Sequence, residues 1–434
     1  MDMVLKGGQI YKEGKLLSED LYIKDGKISA PFEGAKEVKI SGLTVLPGMI
    51  DSQVHFREPG LTHKEDLLSG STQALLGGVT GFFEMPNTAP PTTNEEALNY
   101  KLSICENAAW TNHMFYIGAT HNNIEQLNTL EKLRGACGVK IFMGSSTGSL
   151  LVSEEEYLDK IVSTIKGRFA VHSESERMLL ERKKEFFPDP EAKYPVELHP
   201  EWRSEEVALE STKQIVRLSK KYSAKLHLLH VSTAEEMEFL KTEKYNEMSV
   251  EVTPQHLTLS APECYEAHGT HAQMNPPIRK KRHQEALWKA LNSGLVDVIG
   301  SDHAPHTAEE KAKGYPHTPS GIPGVQTMLP LMLNHVHEGR LSLQRLVELF
   351  SLKPAELFEL DGLGEIKEGR VADLTVVDLN KKQEITSDWL AGKVNWSPFM
   401  GTTVTGWPVM TIVGGSISCR DGELLGRPQG KPYK

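Results

Sequence analysis

From residue 46 to about residue 355, short strand-like runs alternate with longer runs of helical spacing, and this alternation constrains the fold more than any other feature of the chain. Residues 65–76 and 204–222 carry apolar side chains at helical intervals, whereas 81–85, 113–117, 138–142, 169–172, 224–230, 248–253 and 296–301 read as strands. The apolar approach from Val45 to Ile50 adds one more, for about eight strands. Strands separated by helices pair in parallel, because a parallel pair needs a long crossover. The expected fold is α/β, a TIM-type (β/α)8 barrel, whose functional groups stand at the C-terminal ends of the strands.

The flanks have a different texture. Residues 3–5, 21–23 and 38–40, and then 371–378 and 409–415, are short strand-like pieces separated by turn signals such as Asp25-Gly26. Neither flank alone supplies enough strands for a core, so the two ends should pair into one small composite β-sandwich. The expected division is 1–45 and 356–434 for the sandwich and 46–355 for the barrel. Residues 185–200, rich in proline and mixed in charge, suggest a surface insertion.

Composition removes several function classes. A formal charge of −10 leaves no basic excess to replace counterions on nucleic acid. No apolar run approaches the roughly 18 residues of a membrane span, and the first residues lack the basic flank and apolar core of a signal peptide, which points to the cytoplasm. Cys105, Cys137, Cys264 and Cys419 are scattered and should be reduced. A small anion is still an admissible ligand, since one or two local arginines can outweigh the global field.

Candidate chemistry sits at strand ends. Strand alternation puts Asp51, Gln53 and His55 on one face of the opening strand, and Arg57 follows in a Gly/Pro turn. Lys140 interrupts an apolar strand, where an unpaired ammonium is costly; it is either salt-bridged or carboxylated by carbon dioxide into an anion that can bridge metals. His172 ends the next strand. Alternation places His227 and His230 on opposite faces, so only one should enter the lumen; His230, nearer the C-terminal end, is the candidate. Asp302 ends the last strand, as a metal ligand or a helix cap. Two histidines, an aspartate and a modified lysine suit zinc. The segment 253–257 reads equally as a loop or a strand end.

The ordered series His55, Lys140, His172, His230, Asp302 resembles that of the amidohydrolase superfamily. Four stretches narrow the resemblance to its cyclic amidase branch, the dihydroorotases: Val54-His55-Phe56-Arg57-Glu58-Pro59-Gly60, Met85-Pro86-Asn87-Thr88, Met274-Asn275-Pro276-Pro277-Ile278-Arg279 and Gly300-Ser301-Asp302-His303-Ala304-Pro305-His306. The resemblance implies metal ligation by His55, Lys140 as an N6-carboxylated lysine, His172, His230 and Asp302. Asp302 would also serve as the proton-transferring catalytic residue. It further implies substrate binding by Arg57, Asn87, Asn275, His306, Ser320 and Gly321.

One position departs from the family pattern. The site usually opens with His-x-His, and here Gln53 stands first. An amide oxygen is a poorer zinc ligand than imidazole, so the expectation is one firmly held zinc and a weak or empty second position. The implied reaction is the reversible, zinc-dependent hydrolysis of dihydroorotate to N-carbamoyl-aspartate in pyrimidine (UMP) synthesis. The alternatives are another cyclic amidase, allantoinase or dihydropyrimidinase, and a non-catalytic partner of aspartate transcarbamoylase. The sequence leaves homodimer formation open.

Overall fold

The computed structural model describes residues 2–145 and 150–434. Eight parallel strands follow one another around a barrel: β1 (Met49–Val54), β2 (Val79–Glu84), β3 (Asn112–Gly118), β4 (Ala136–Phe142), β5 (Arg168–His172), β6 (Lys225–Leu228), β7 (Ser249–Val252) and β8 (Val298–Ile299). The seam between β8 and β1 is bridged by His303 and Val54, and the His55 N–H donates to the His303 carbonyl at 2.7 Å. The expected (β/α)8 barrel is what the chain forms.

Local signals explain where the surrounding helices begin. Asp66 caps the helix Leu67–Leu76 through the Ser69 N–H, and Asn94 caps Glu95–Ala108 through the Ala97 N–H. Thr233 and Glu236 form a reciprocal capping box at Ala234–Glu243. Helix Glu205–Tyr222 turns Val207, Ile215, Val216 and Leu218 inward. Val139, Ile141, Phe169, Val171, Leu226 and Leu228 meet such faces in one core between strands and helices. Their alternates along each strand must therefore fill the lumen.

The floor of the lumen is apolar. Ile50, Phe83, Met114, Tyr116 and Ala170 pack there against Phe358, Leu360 and Tyr433, which arrive from beyond the last strand. The final residues lie against β3: the His113 N–H donates to the Lys431 carbonyl at 3.0 Å and the Gly135 N–H to that of Lys434 at 2.9 Å.

Both ends of the chain build two further sheets, one of four strands and one of seven. Strand Thr44–Pro47 pairs antiparallel with Leu374–Glu384, which joins the first flank to the second. Ile10, Ile23, Val45, Val376 and Ile412 share the core of this sandwich.

Two local expectations need correction. Residues 185–200 are more than a surface insertion, because Phe187 and Val196 pack with Tyr265, Met274 and Tyr315 in a satellite core. Past β7, Thr253 caps a short helix, Pro254–Thr258, so the segment is neither loop nor strand end. Among the described residues no helix is long and apolar enough to cross a membrane.

Candidate active site

The upper lumen is polar because three strand ends abandon regular geometry. In β1 the pairing register shifts between Asp51 and Val54, a bulge that inserts one residue and reverses which side chains face inward. Ile50 and Ser52 point into the lumen below it, Ser52 donating to Glu251 at 2.5 Å, and Gln53 and His55 point in above it. Asp51 therefore does not share the face of Gln53 and His55; its carboxylate accepts the Ser301 N–H at 2.9 Å, beside the pocket. Gly300 permits this crowding, since a Cβ there would lie 2.5 Å from Glu251 Oε2.

The same lesson applies to β6. His227 also faces the lumen, bonded to Ser249 Oγ at 2.8 Å and 3.2 Å from Glu251. The strand ends at Leu228, and His230 then takes φ +37°, which breaks the alternation and brings it to the same side. The expectation that only one of the two enters the lumen is thus wrong, although His230 is the one in the pocket. Asp302 (φ +45°) and Arg57 (φ +65°) reach the site in the same left-handed conformation. Each such residue costs on the order of 1–3 kcal/mol, a strain concentrated where side chains converge.

The converging donors form two pairs. His172 Nδ1 lies 3.2 Å from His230 Nε2, and His172 Nε2 is 2.8 Å from Glu174. A carboxylate only accepts, so the proton of neutral His172 sits on Nε2 and its Nδ1 lone pair is aimed at His230. On the other side His55 Nδ1 meets Asn87 Oδ1 at 2.7 Å, which leaves the Nε2 lone pair facing Asp302 Oδ1 at 3.3 Å. Burial holds both His55 and His230 well below the usual histidine range, so both rings are neutral.

Lys140 serves both pairs. It is buried, its ammonium lies 4.5 Å from the Phe142 ring centre, and it acts electrostatically on His55, His172, His230 and Asp302 alike. Burial lowers it to about 7 despite the attraction of Asp302 and Glu251, so near neutrality a large share is the free amine. Burial raises Asp302 to about 7, with Lys140 pulling the other way.

These residues fit a metal. Two nitrogens each about 2.0–2.1 Å from a tetrahedral zinc stand roughly 3.3 Å apart, close to the 3.2 Å between the facing nitrogens of His172 and His230. Among the described residues no three His, Cys, Asp or Glu converge on one point. Lys140 lines the same pocket, and a donor from it would add to these pairs, which the ammonium cannot supply and a carboxylated form can. Gln53 donates to Asp302 Oδ1 at 2.9 Å, and its own Oε1 is buried with no partner among the described residues.

The same pocket continues from His55 and Asp302 to Arg57. Arg57 is fully buried and makes no ion pair among the described residues; its Nε donates to the Pro305 carbonyl at 3.2 Å, and its Nη2 lies 3.2 Å from His306 Nε2. Burial lowers even this guanidinium to about 10. A surface ion pair is thereby excluded as its role. Asn87, Asn275, Ser320 and Gly321 line the same pocket, and Asn275 Oδ1 is buried without a partner among the described residues. His306 stands behind Arg57 instead of on the pocket wall, its Nε2 3.1 Å from the Ser320 carbonyl.

Sequence reasoning missed the supports. Glu174 is fully buried and gripped by Arg203 Nε at 3.0 Å and Nη2 at 2.5 Å. Burial alone would raise that carboxyl, but Arg203 and His172 hold it far below its usual range. The signal was the spacing His172-x-Glu174, which lets a carboxylate reach the outer nitrogen of a candidate ligand. Lys64 and Glu310, seven residues beyond Arg57 and four beyond His306, went equally unnoticed.

The chain resembles known proteins along its whole length. It matches the amidohydrolase family over residues 44–418. A dihydroorotase of Methanosarcina mazei is 33% identical over 98% of this chain and 96% of its own. One of Methanothermobacter thermautotrophicus is 35% identical over 94% and 93%. Among solved structures, the L-hydantoinase (dihydropyrimidinase) of Arthrobacter aurescens superposes with a TM-score of 0.94 at 28% identity, covering 99% of this chain and 98% of its own. With its barrel, its polar upper lumen and these matches, the protein is a hydrolase of the amidohydrolase family and stands with the dihydroorotases within it.

Proposed function

We propose that this hydrolase interconverts dihydroorotate and N-carbamoyl-aspartate, acting in the cytoplasm in pyrimidine synthesis. The observation that carries the reading is Arg57, a buried guanidinium with no carboxylate in hydrogen-bond contact among the described residues, placed beside the candidate ligands. A buried cation needs an anion, and a planar fork pairs best with a carboxylate. Dihydroorotate carries one on the ring, next to the amide to be opened.

Zinc held by His55, N6-carboxylated Lys140, His172, His230 and Asp302 would supply a Lewis acid and a water whose pKa is lowered to about 7. We assign one firm position to the histidine pair of β5 and β6 and a weaker one to the side where Gln53 stands. The protein's own groups do the rest. Arg57 and Asn275 orient the substrate carboxylate, and Asn87 fixes the tautomer of His55. Asp302, raised by burial to about 7, holds or releases a proton near neutrality and would pass it to the ring nitrogen.

Ultraviolet-monitored ring opening of dihydroorotate tests this. Arg57→Ala should raise KM for dihydroorotate about 100-fold or more, the scale expected on removing one partner of a buried charge pair. Unchanged kinetics would overturn the assignment. The superposition on a hydantoinase favours a second reading, a cyclic amide without a ring carboxylate; turnover of hydantoin or dihydrouracil that outpaces dihydroorotate would establish it.

A further inference from the structure

We infer that Lys311 is a positioning residue: its ammonium ties the two segments that carry Asn275 and Ser320–Gly321 into one pocket wall, and so sets the fit of the substrate ring. For the substrate this rests on the dihydroorotate reading; the tie itself is independent of it.

Asn275, Ser320 and Gly321 line the pocket from segments 273–275 and 318–321, neither of which belongs to a helix or a strand. Without a ladder of their own, such segments are held only by the partners their backbone groups find. Lys311 supplies three. It is buried and makes no ion pair among the described residues, and its Nζ donates to the carbonyls of Gln273 at 3.3 Å, Pro319 at 3.1 Å and Gly321 at 3.2 Å. An ammonium has three protons, so these bonds use all of them. Burial lowers Lys311 to about 7. The carbonyls pull the other way, because only the charged form has a proton for each.

The tie is doubled by Gln273. Its carbonyl accepts the Gly321 N–H at 2.9 Å, and its Nε2 donates to the Thr318 carbonyl at 2.9 Å and to Ser320 Oγ at 3.0 Å. Lys311 is anchored in turn. It ends a short helix, Ala308–Lys311, that Thr307 and Glu310 cap reciprocally, and Glu310 pairs with Lys64, whose Nζ lies 3.1 Å from His306 Nδ1. Thr270 Oγ1 donates to the Lys311 carbonyl at 2.7 Å, and the Trp396 ring centre stands 5.7 Å from the ammonium.

The place of this wall is exacting. A Cβ on Gly321 would lie 2.3 Å from the Ala304 carbonyl oxygen, two residues past Asp302. On that side segment 318–321 has no slack, and loss of Lys311 frees it to withdraw. Withdrawal would widen the pocket and take Ser320 and Gly321 away from a bound ring.

The test uses the full-length, metal-loaded protein. Lys311→Met keeps the length of the side chain and removes all three donors. KM for dihydroorotate should rise about tenfold while kcat changes less than about threefold, a loss within the roughly 100-fold that a misplacement of about 1 Å can cost. Asn275→Ala and the double variant close a cycle, in which the double loss should fall short of the product of the single losses because Lys311 acts partly through Asn275. Hydrogen exchange reads the tie without substrate: amides of 273–275 and 318–322 should exchange about tenfold faster in Lys311→Met, and those of β4 and β5 should not change. Parental KM, a full product in the cycle, or unchanged exchange in the two segments overturns the proposal. Faster exchange throughout the barrel does so too, since Lys311 would then be a general support. Lys311→Gln, with two donors in place of three, takes over if Lys311→Met does not fold; failure of both to fold also overturns the positioning role. Absence of dihydroorotate turnover in the parent overturns the substrate reading instead, and the exchange rates then still decide whether Lys311 holds the wall.

Discussion

The two ends of the barrel lumen are built from the same eight strands and could hardly be less alike. At the floor, Phe83 lies 4.6 Å from Phe358, and Phe358 is within 6.4 Å of Tyr116 and 5.6 Å of His227, in an apolar plug. At the mouth, three residues hold left-handed backbone, two nitrogen or oxygen pairs share one pocket with Lys140, and Gln53, His230 and Asn275 each leave a buried polar atom without a partner among the described residues. The floor gains stability from close packing. The mouth gives stability up to hold unsatisfied donors where a cation and an anion can meet them.

That contrast predicts that damage at the mouth removes activity and damage at the floor removes stability. Lys140→Ala should lower turnover on the order of 10³-fold, as loss of a group acting at the reacting centre does. Its melting temperature should not fall. The pH dependence supplies the sign. Lys140 titrates near 7 in the folded chain against 10.5 in its ordinary state, so the unfolded chain binds more protons between those values. Stability of the metal-free, carbon-dioxide-free protein should therefore rise with pH from about 7 to about 10.5. Asp302, raised to about 7, is ionised in both states over most of that window and adds little. Lys140→Met should flatten the slope; urea titrations at pH 7.5 and 9.5 measure it, and equal slopes in both proteins would remove Lys140 from the buried position assigned to it.

Phe358→Ala is the converse. Emptying the centre of the plug should cost about 3–5 kcal/mol, the usual price of a large aromatic cut from a core. Urea unfolding reads the loss, and kcat/KM well below the melting temperature should stay within twofold of the parent. A large fall in kcat/KM would mean that floor and mouth are mechanically coupled, and the separation drawn above would fail.

The same contrast explains what the sequence made legible. Strand order, helix starts and the ligand-type residues at strand ends follow from local pattern, because hydrophobic alternation and capping act over a few residues. The bulge at Asp51 and the bend at His230 do not, since both are exceptions to the alternation that located the strands. The plug was hidden for another reason: Phe358 and Tyr433 follow the last barrel strand by some 60 and 130 residues, and no local signal ties them to Phe83. Glu174 with Arg203, and Lys64 with His306, are likewise pairs that only the closed barrel brings together.

Glu174 offers the finest test of the mouth. Its carboxylate accepts from His172 and from Arg203, so Glu174→Gln changes two things at once: it weakens the acceptor behind a candidate ligand and leaves the Arg203 charge buried and unpaired. A glutamine oxygen can still accept the His172 proton, which keeps the ring orientation. Removing the carboxylate behind a ligand typically costs 10- to 100-fold in metal affinity, so zinc competition against a chelator should show a loss of that order. The double variant Glu174→Gln, Arg203→Met separates the causes, since it restores charge balance without restoring the carboxylate. If the double variant also binds zinc about tenfold more weakly than the parent, the carboxylate tunes His172 itself. If it binds as the parent does, Glu174 is there only to neutralise Arg203, and that part of the mouth is packing of the same kind as the floor.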